Sequence, residues 1–157
     1  MTWVYFLKTN SAEEVLSVFQ AFKALVEKEA DASIHRFRCD NGTGEYDNLR
    51  FKGFLVPNGI SFEPSAPNTQ DQNGVSERAI RTIIETARTM LLNAKLTECF
   101  GEEAVRTAVY LKNRSPTKAV DSVTPFQAWS GQIPTLDHLR PFGCNGYAFI
   151  HPDLRTK

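Results

Sequence analysis

Residues 75–96, VSERAIRTIIETARTMLLNAKL, constrain the fold more than any other stretch of this chain. At 100° per residue, Ile80, Ile83, Ala87, Met90, Leu91 and Ala94 fill one arc, which predicts a long helix with a single buried face. Such a helix needs a second layer to bury that face against. The upstream sequence supplies one. TWVYFLK (2–8) is short and rich in β-branched and aromatic residues, as a strand would be. SAEEVLSVFQAFKALVEKEA (11–30) predicts a helix capped by Ser11, with Glu14 at the capping-box position. SIHRFRCD (33–40) predicts a strand that ends on Asp40. NLRFKGFLVPNG (48–59) reads as a short helix stopped by Pro57 and Gly59, ISFEPSAP (60–67) as a brief strand, and NTQDQNG (68–74) as a loop. Helices over 101–115 and 124–131, and a terminal strand or hairpin within 139–152, complete the pattern. The order implies an α/β layered domain, whose sites sit at the carboxyl ends of strands.

Composition narrows the class. At 157 residues the chain is the size of one domain. Its 18 basic and 18 acidic residues cancel, so any affinity for nucleic acid must come from a local basic footprint. Cys39, Cys99 and Cys144 are odd in number with no C-x-x-C pair, and His35, His138 and His151 lack zinc spacing. Reduced thiols are expected, and neither a disulfide frame nor a zinc module. No apolar run reaches the 18 residues of a membrane span, and the first residues lack a signal-peptide core. A nuclear or cytoplasmic protein without a membrane partner is expected.

Two acidic positions stand out. Asp40 opens DNGTGEY (40–46), directly after the second strand. Asp-Asn-Gly also suits a plain turn, with the Asp side chain bonding its own backbone. Glu77 lies in the expected first turn of the long helix, where the helix dipole favours an anion. Arg81 and Arg88 fall on the same flank, within about 40° of Glu77 by the helical period. An ordinary solvated pair between Glu77 and Arg81 is the alternative.

Together these stretches resemble the catalytic core of a copia-type retrotransposon integrase, within the retroviral integrase superfamily. TWVYFLKT, DNGTGEY, NGISFEPSAPNTQDQNGVSER, ARTMLLNAKL, AVYLKNRSPTKAV, TPFQAWSG and HLRPFGC follow the family's order through nearly the whole chain. The resemblance implies a ribonuclease H-like α/β domain around a central mixed sheet. It implies metal-dependent 3′-end processing and strand transfer on DNA, by three acidic residues binding Mg²⁺ or Mn²⁺. Asp40 and Glu77 would be the last two of those acids, with Arg78, Arg81 and Arg88 as candidate DNA contacts. Residues 1–138 would form the core and 139–157 a C-terminal strand or hairpin extension. DNA, and a homo-oligomer of the chain, would be the partners.

This chain departs from the family at several positions. The family spaces its last two acids as D-x(35)-E, whereas residues 41 to 76 here make 36, Thr43 being the extra one. The first acid belongs to a strand preceding TWVYFLK, and only Met1 and Thr2 precede it here. The expectation is therefore an N-terminally truncated domain that lacks its first strands and first catalytic Asp, and is inactive alone. Ala79 and Ile80 replace a basic and a polar residue, Asn68 and Gln70 replace a loop aromatic and proline, and Gly101 replaces a tryptophan. A non-catalytic nucleic-acid-binding domain and a decayed element relic are the alternatives. Lys112, Arg114 and Lys118 could form a second phosphate contact or a solvated helix end. Trp3, Trp129 and Phe142 are expected in the core.

Overall fold

Ser11 opens the first helix, α1 (Ala12–Ala30): its extended backbone leaves its hydroxyl free to accept the amide N–H of Glu14 at 3.3 Å. The computed structural model describes residues 1–9, 11–39, 46–64, 70–149 and 151, with side chains at all of these except 70–73. Two compact units divide between Thr82 and Ile83.

In the first unit, the capping of α1 reaches further than a capping box. The Glu14 carboxylate accepts from the backbone of Lys8 and Thr9, both at 2.8 Å, and from the Thr9 hydroxyl at 2.6 Å. The Thr9 hydroxyl and the Lys8 amide hold that carboxyl below its ordinary value. At the other end, Asp31 takes a left-handed conformation (φ 48°) and closes the helix. Glu27 then joins helix to strand. Its carboxylate takes the Lys23 ammonium at 2.7 Å and the Ile34 amide at 2.8 Å, which lowers its pKa.

Strand β1 (Arg36–Cys39) follows, then helix α2 (Leu49–Leu55), a 3₁₀ turn (Val56–Asn58) and strand β2 (Ser61–Pro64). Asn48 caps α2 by accepting from Phe51 N–H at 2.8 Å. Gly59, at φ 68°, reverses the chain as expected. β1 and β2 pair in parallel, from Arg36 opposite Ser61 to Cys39 opposite Pro64, where the missing proline N–H ends the ladder. Among the described residues the sheet has these two parallel strands only, where a mixed sheet was expected. Parallel strands need a crossover, and α2 provides it.

Aromatic residues fill the core. Val15, Phe19, Phe51, Leu55 and Ile60 are buried, with Phe37, Tyr46, Phe54 and Phe62 packed around them. Phe19 lies 4.9 Å from Phe37 and 5.1 Å from Phe51, centroid to centroid. Residues 2–7 form no strand, although TWVYFLK has strand composition. Trp3 and Tyr5 instead set their rings edge-on against Phe22 at 5.4 and 6.1 Å. Their rings lie against α1, and among the described residues the sheet is formed by β1 and β2.

Helix α3 (Gln70–Ala94) starts five residues before the expected Val75. Pro67 is the last residue before it without an N–H, and the polar run after Pro67 carries no helix breaker but Gly74. Its second half, in the second unit, buries Ile83 and Ala87. Lys95, at φ 53°, ends it.

Helix α4 (Gly101–Asn113) buries Ala104, Ala108 and Val109 and packs against α5 (Pro125–Ser130). Thr124 caps α5 by accepting from Gln127 N–H at 3.0 Å, with Pro125 in the first turn and Gly131 at φ 73° after the end. Residues 139–149 form no strand or hairpin, contrary to expectation. A turn closes there instead, Cys144 N–H to Pro141 C=O at 3.1 Å, with Gly143 at φ 77°. Trp3 and Phe142 are half-buried, and Trp129 lies at the surface.

Candidate functional site

Asp40 directly follows β1 and lies outside the described residues, as does Thr43. What the fold contributes on its near side is Cys39, half-buried at the carboxyl end of a parallel strand. Glu77 and Arg81 sit one turn apart on α3, and both are exposed, as is Arg78. The sequence admitted a salt bridge between Glu77 and Arg81. Among the described residues no ion pair joins them, and the Glu77 carboxylate stays open to solvent. Arg88, also exposed, lies on the part of α3 within the second unit.

The apolar arc of α3 is narrower than the sequence pattern. Ile83 and Ala87 are buried, Met90, Leu91 and Ala94 are half-buried, and Ile80 is 61% exposed. Ile80 therefore belongs to the surface that carries Glu77 and Arg81. Among the described residues, no three His, Cys, Asp or Glu side chains converge as a metal site.

Sequence reasoning missed a third carboxylate at the strand ends. Glu63, one residue before the end of β2, accepts from Arg38 at 3.1 Å and faces Arg36 at 3.9 Å. Parallel register places these three side chains together on one face of the sheet, and the pairing rule for parallel strands was the signal available. Two guanidiniums already neutralise Glu63.

Reading Arg114 as a solvated helix end also needs correction. Its guanidinium stacks 3.5 Å over the Tyr110 ring and 4.5 Å over Phe126, fastening the end of α4 to α5. Tyr110 in turn shares a 2.7 Å hydrogen bond with His138. The spacing of Tyr110 and Arg114, i to i+4 on one helix, could have shown the first of these stacks.

No protein-family model matches the chain. It is 44% identical over 155 residues, 99% of its length, to a retrovirus-related Pol polyprotein from transposon TNT 1-94 of Nicotiana tabacum, of which it covers 11%. It is 40% identical over 156 residues to the Pol polyprotein from transposon RE2 of Arabidopsis thaliana, covering 99% of this chain and 10% of that one. A third relative, the Ty1-LR3 Gag-Pol polyprotein of Saccharomyces cerevisiae, is 30% identical over 173 residues, 98% of this chain and 10% of its own length. The chain is a homologue of the copia-type retrotransposon Pol polyproteins. It spans about a tenth of their length. The fold of this copia-type homologue is that of integrase catalytic cores. The catalytic core domain of BIV integrase superposes with a TM-score of 0.56 at 19% identity, over 78% of this chain and 73% of that one. A chain of a simian T-cell lymphotropic virus intasome matches with a TM-score of 0.60 at 17% identity, over 96% of this chain and 52% of its own. The ribonuclease H-like α/β fold is thus shown.

Proposed function

We propose that this segment serves DNA integration, as the part of an integrase that holds DNA and carries two acids of a metal-dependent strand-joining site. One observation carries the reading: 99% of the chain aligns at 44% identity with a transposon Pol polyprotein, and its fold is that of integrase catalytic cores. Asp40 and Glu77 would hold Mg²⁺ or Mn²⁺. The donor chemistry fits, because both are hard carboxylate oxygens and those of Glu77 are exposed and not spent on Arg81. Bound ions of this kind polarise a phosphodiester and lower the pKa of the attacking hydroxyl.

The chain's own residues do the rest. Arg78 and Arg81 present permanent positive charge beside Glu77 and neutralise DNA phosphates, which fixes the duplex without reading its sequence. Arg88 adds a contact from the second unit. With two acids of three, residues 1–157 alone retain DNA without joining it. DNA is the partner, a homo-oligomer of the chain the working assembly, and the nucleus or cytoplasm the place of action.

The test compares this chain with a fusion in which the stretch of the TNT 1-94 polyprotein preceding the matched region is placed before Met1. On labelled duplex with Mg²⁺ or Mn²⁺, the chain alone should bind in a salt-dependent way and join nothing. The fusion should join strands and lose that activity with Asp40→Asn or Glu77→Gln. Joining by the chain alone overturns the incomplete site. Absence of DNA binding, or joining indifferent to both substitutions, overturns the assignment.

A further inference from the structure

The sequence holds two hydroxyl residues directly before a proline, Ser115-Pro116 and Thr124-Pro125. The fold treats them in opposite ways. Thr124 is buried, and its hydroxyl accepts Gln127 N–H at 3.0 Å as the cap of α5. Ser115 and Pro116 are exposed, just past the end of α4. The Ser115 hydroxyl donates to Leu111 C=O at 2.9 Å and accepts no hydrogen bond among the described residues, so its lone pairs stay open. Thr117 continues in extended conformation (φ −139°, ψ 143°), and Lys118, three residues after Ser115, is exposed.

We propose that Ser115 is a phosphorylation site for a proline-directed protein kinase that reads Ser-Pro-x-Lys. The site stands apart from the acids and arginines assigned to DNA. Pro116 has no N–H to leave unpaired in a kinase groove, and Lys118 supplies a cation for an acidic pocket. In the transfer, Ser115 Oγ bonds to the γ-phosphorus of ATP and the bond to the β,γ-bridging oxygen breaks. ADP leaves, and the hydroxyl proton passes to the kinase's carboxylate base. The product fits where it forms. Residues 104–120 include Arg106, Lys112, Arg114 and Lys118 and no acidic residue. The phosphate brings a charge of about −1.5 to −2 and three acceptor oxygens. The Arg114 guanidinium is stacked on Tyr110 and Phe126, and stacking leaves its N–H groups to donate. These cations offset the cost of an anion at the C-terminal end of α4.

The test incubates the 157-residue chain with such a kinase, ATP and Mg²⁺, under conditions that fully modify a Ser-Pro-Thr-Lys peptide. Mass spectrometry locates the phosphate, and thermal melting checks that each variant is folded. Phosphate should appear on Ser115 and not on Thr124. Ser115→Ala should abolish it, and Ser115→Thr should keep it. Pro116→Ala should slow the transfer about tenfold, as an unpaired N–H would. Lys118→Ala should slow it about fivefold, as loss of one exposed charge contact would. A folded chain that takes no phosphate overturns the site. So does phosphate on Thr124 in place of Ser115, incorporation that survives Ser115→Ala, or a rate indifferent to both Pro116→Ala and Lys118→Ala.

Discussion

Glu27 shows how one side chain can couple two elements. It lies three residues before the end of α1, takes charge from Lys23 along the helix, and reaches across the connection to the Ile34 amide just before β1. Both partners favour the ionised form, so its folded-state pKa lies below the unfolded one. The stability it contributes is therefore present above the ordinary glutamate value and is lost as pH falls through that value toward the lowered one. Melting temperature followed on an acid titration should drop through this window, and Glu27→Gln should flatten the drop. A curve identical in parent and variant would remove Glu27 from the account. At the centre of the first unit, Phe51 is fully buried against Phe19, Phe37 and Tyr46. Phe51→Ala should cost about 3–5 kcal/mol by denaturant unfolding, because the rings around it leave little room to collapse. Glu77→Gln is the contrast. Its side chain is exposed and in no ion pair among the described residues, so stability should change by less than about 0.5 kcal/mol while any strand joining disappears.

At the scale of elements, caps and turns decide where helices stop. Ser11→Ala should destabilise by about 1 kcal/mol, read by denaturant midpoint, because Glu14 N–H then loses its acceptor. Gly143→Ala should be worse. A Cβ there would lie 2.5 Å from Cβ of Ala94 and 3.0 Å from Cδ1 of Leu96, at a φ of 77° that an L side chain resists. Caps were legible in the sequence because they are local: Ser11, Pro57, Gly59 and Thr124 stand where residue chemistry alone puts them. Strand pairing was not, because a strand is defined by a neighbour. TWVYFLK has strand composition and yet packs Trp3 and Tyr5 on Phe22, and HLRPFGC turns back on α3 through Gly143. The start of α3 was misplaced because Asn-Gly reads as a turn, whereas here Gly74 is helical. Of the candidate site, Glu77 and the arginines were placed on their helix by periodicity, but periodicity could not say that Ile80 joins their exposed face. It could not say either that Glu63 is taken by Arg36 and Arg38, which depends on the register of two strands 25 residues apart.

For the whole molecule, the zero net charge and the proposed DNA contact are compatible, because counterion release depends on the phosphates contacted and not on the protein's total charge. Each neutralised phosphate adds about 0.9 to the slope of log K against log salt, whichever unit carries the cation. Arg78, Arg81 and Arg88 together therefore set a slope near −2.7 for the parent chain. Replacing any one with Gln should bring it down by about 0.9, and replacing all three should leave it near zero. Guanidiniums keep their charge throughout the working range, so the slope should hold constant from pH 6 to about 9. A slope that grows on acidification would instead assign binding to His35, His138 or His151. A slope near −2.7 that survives the triple replacement would move the DNA to a different face, such as the one carrying Lys112 in the last turn of α4 and Lys118 after it.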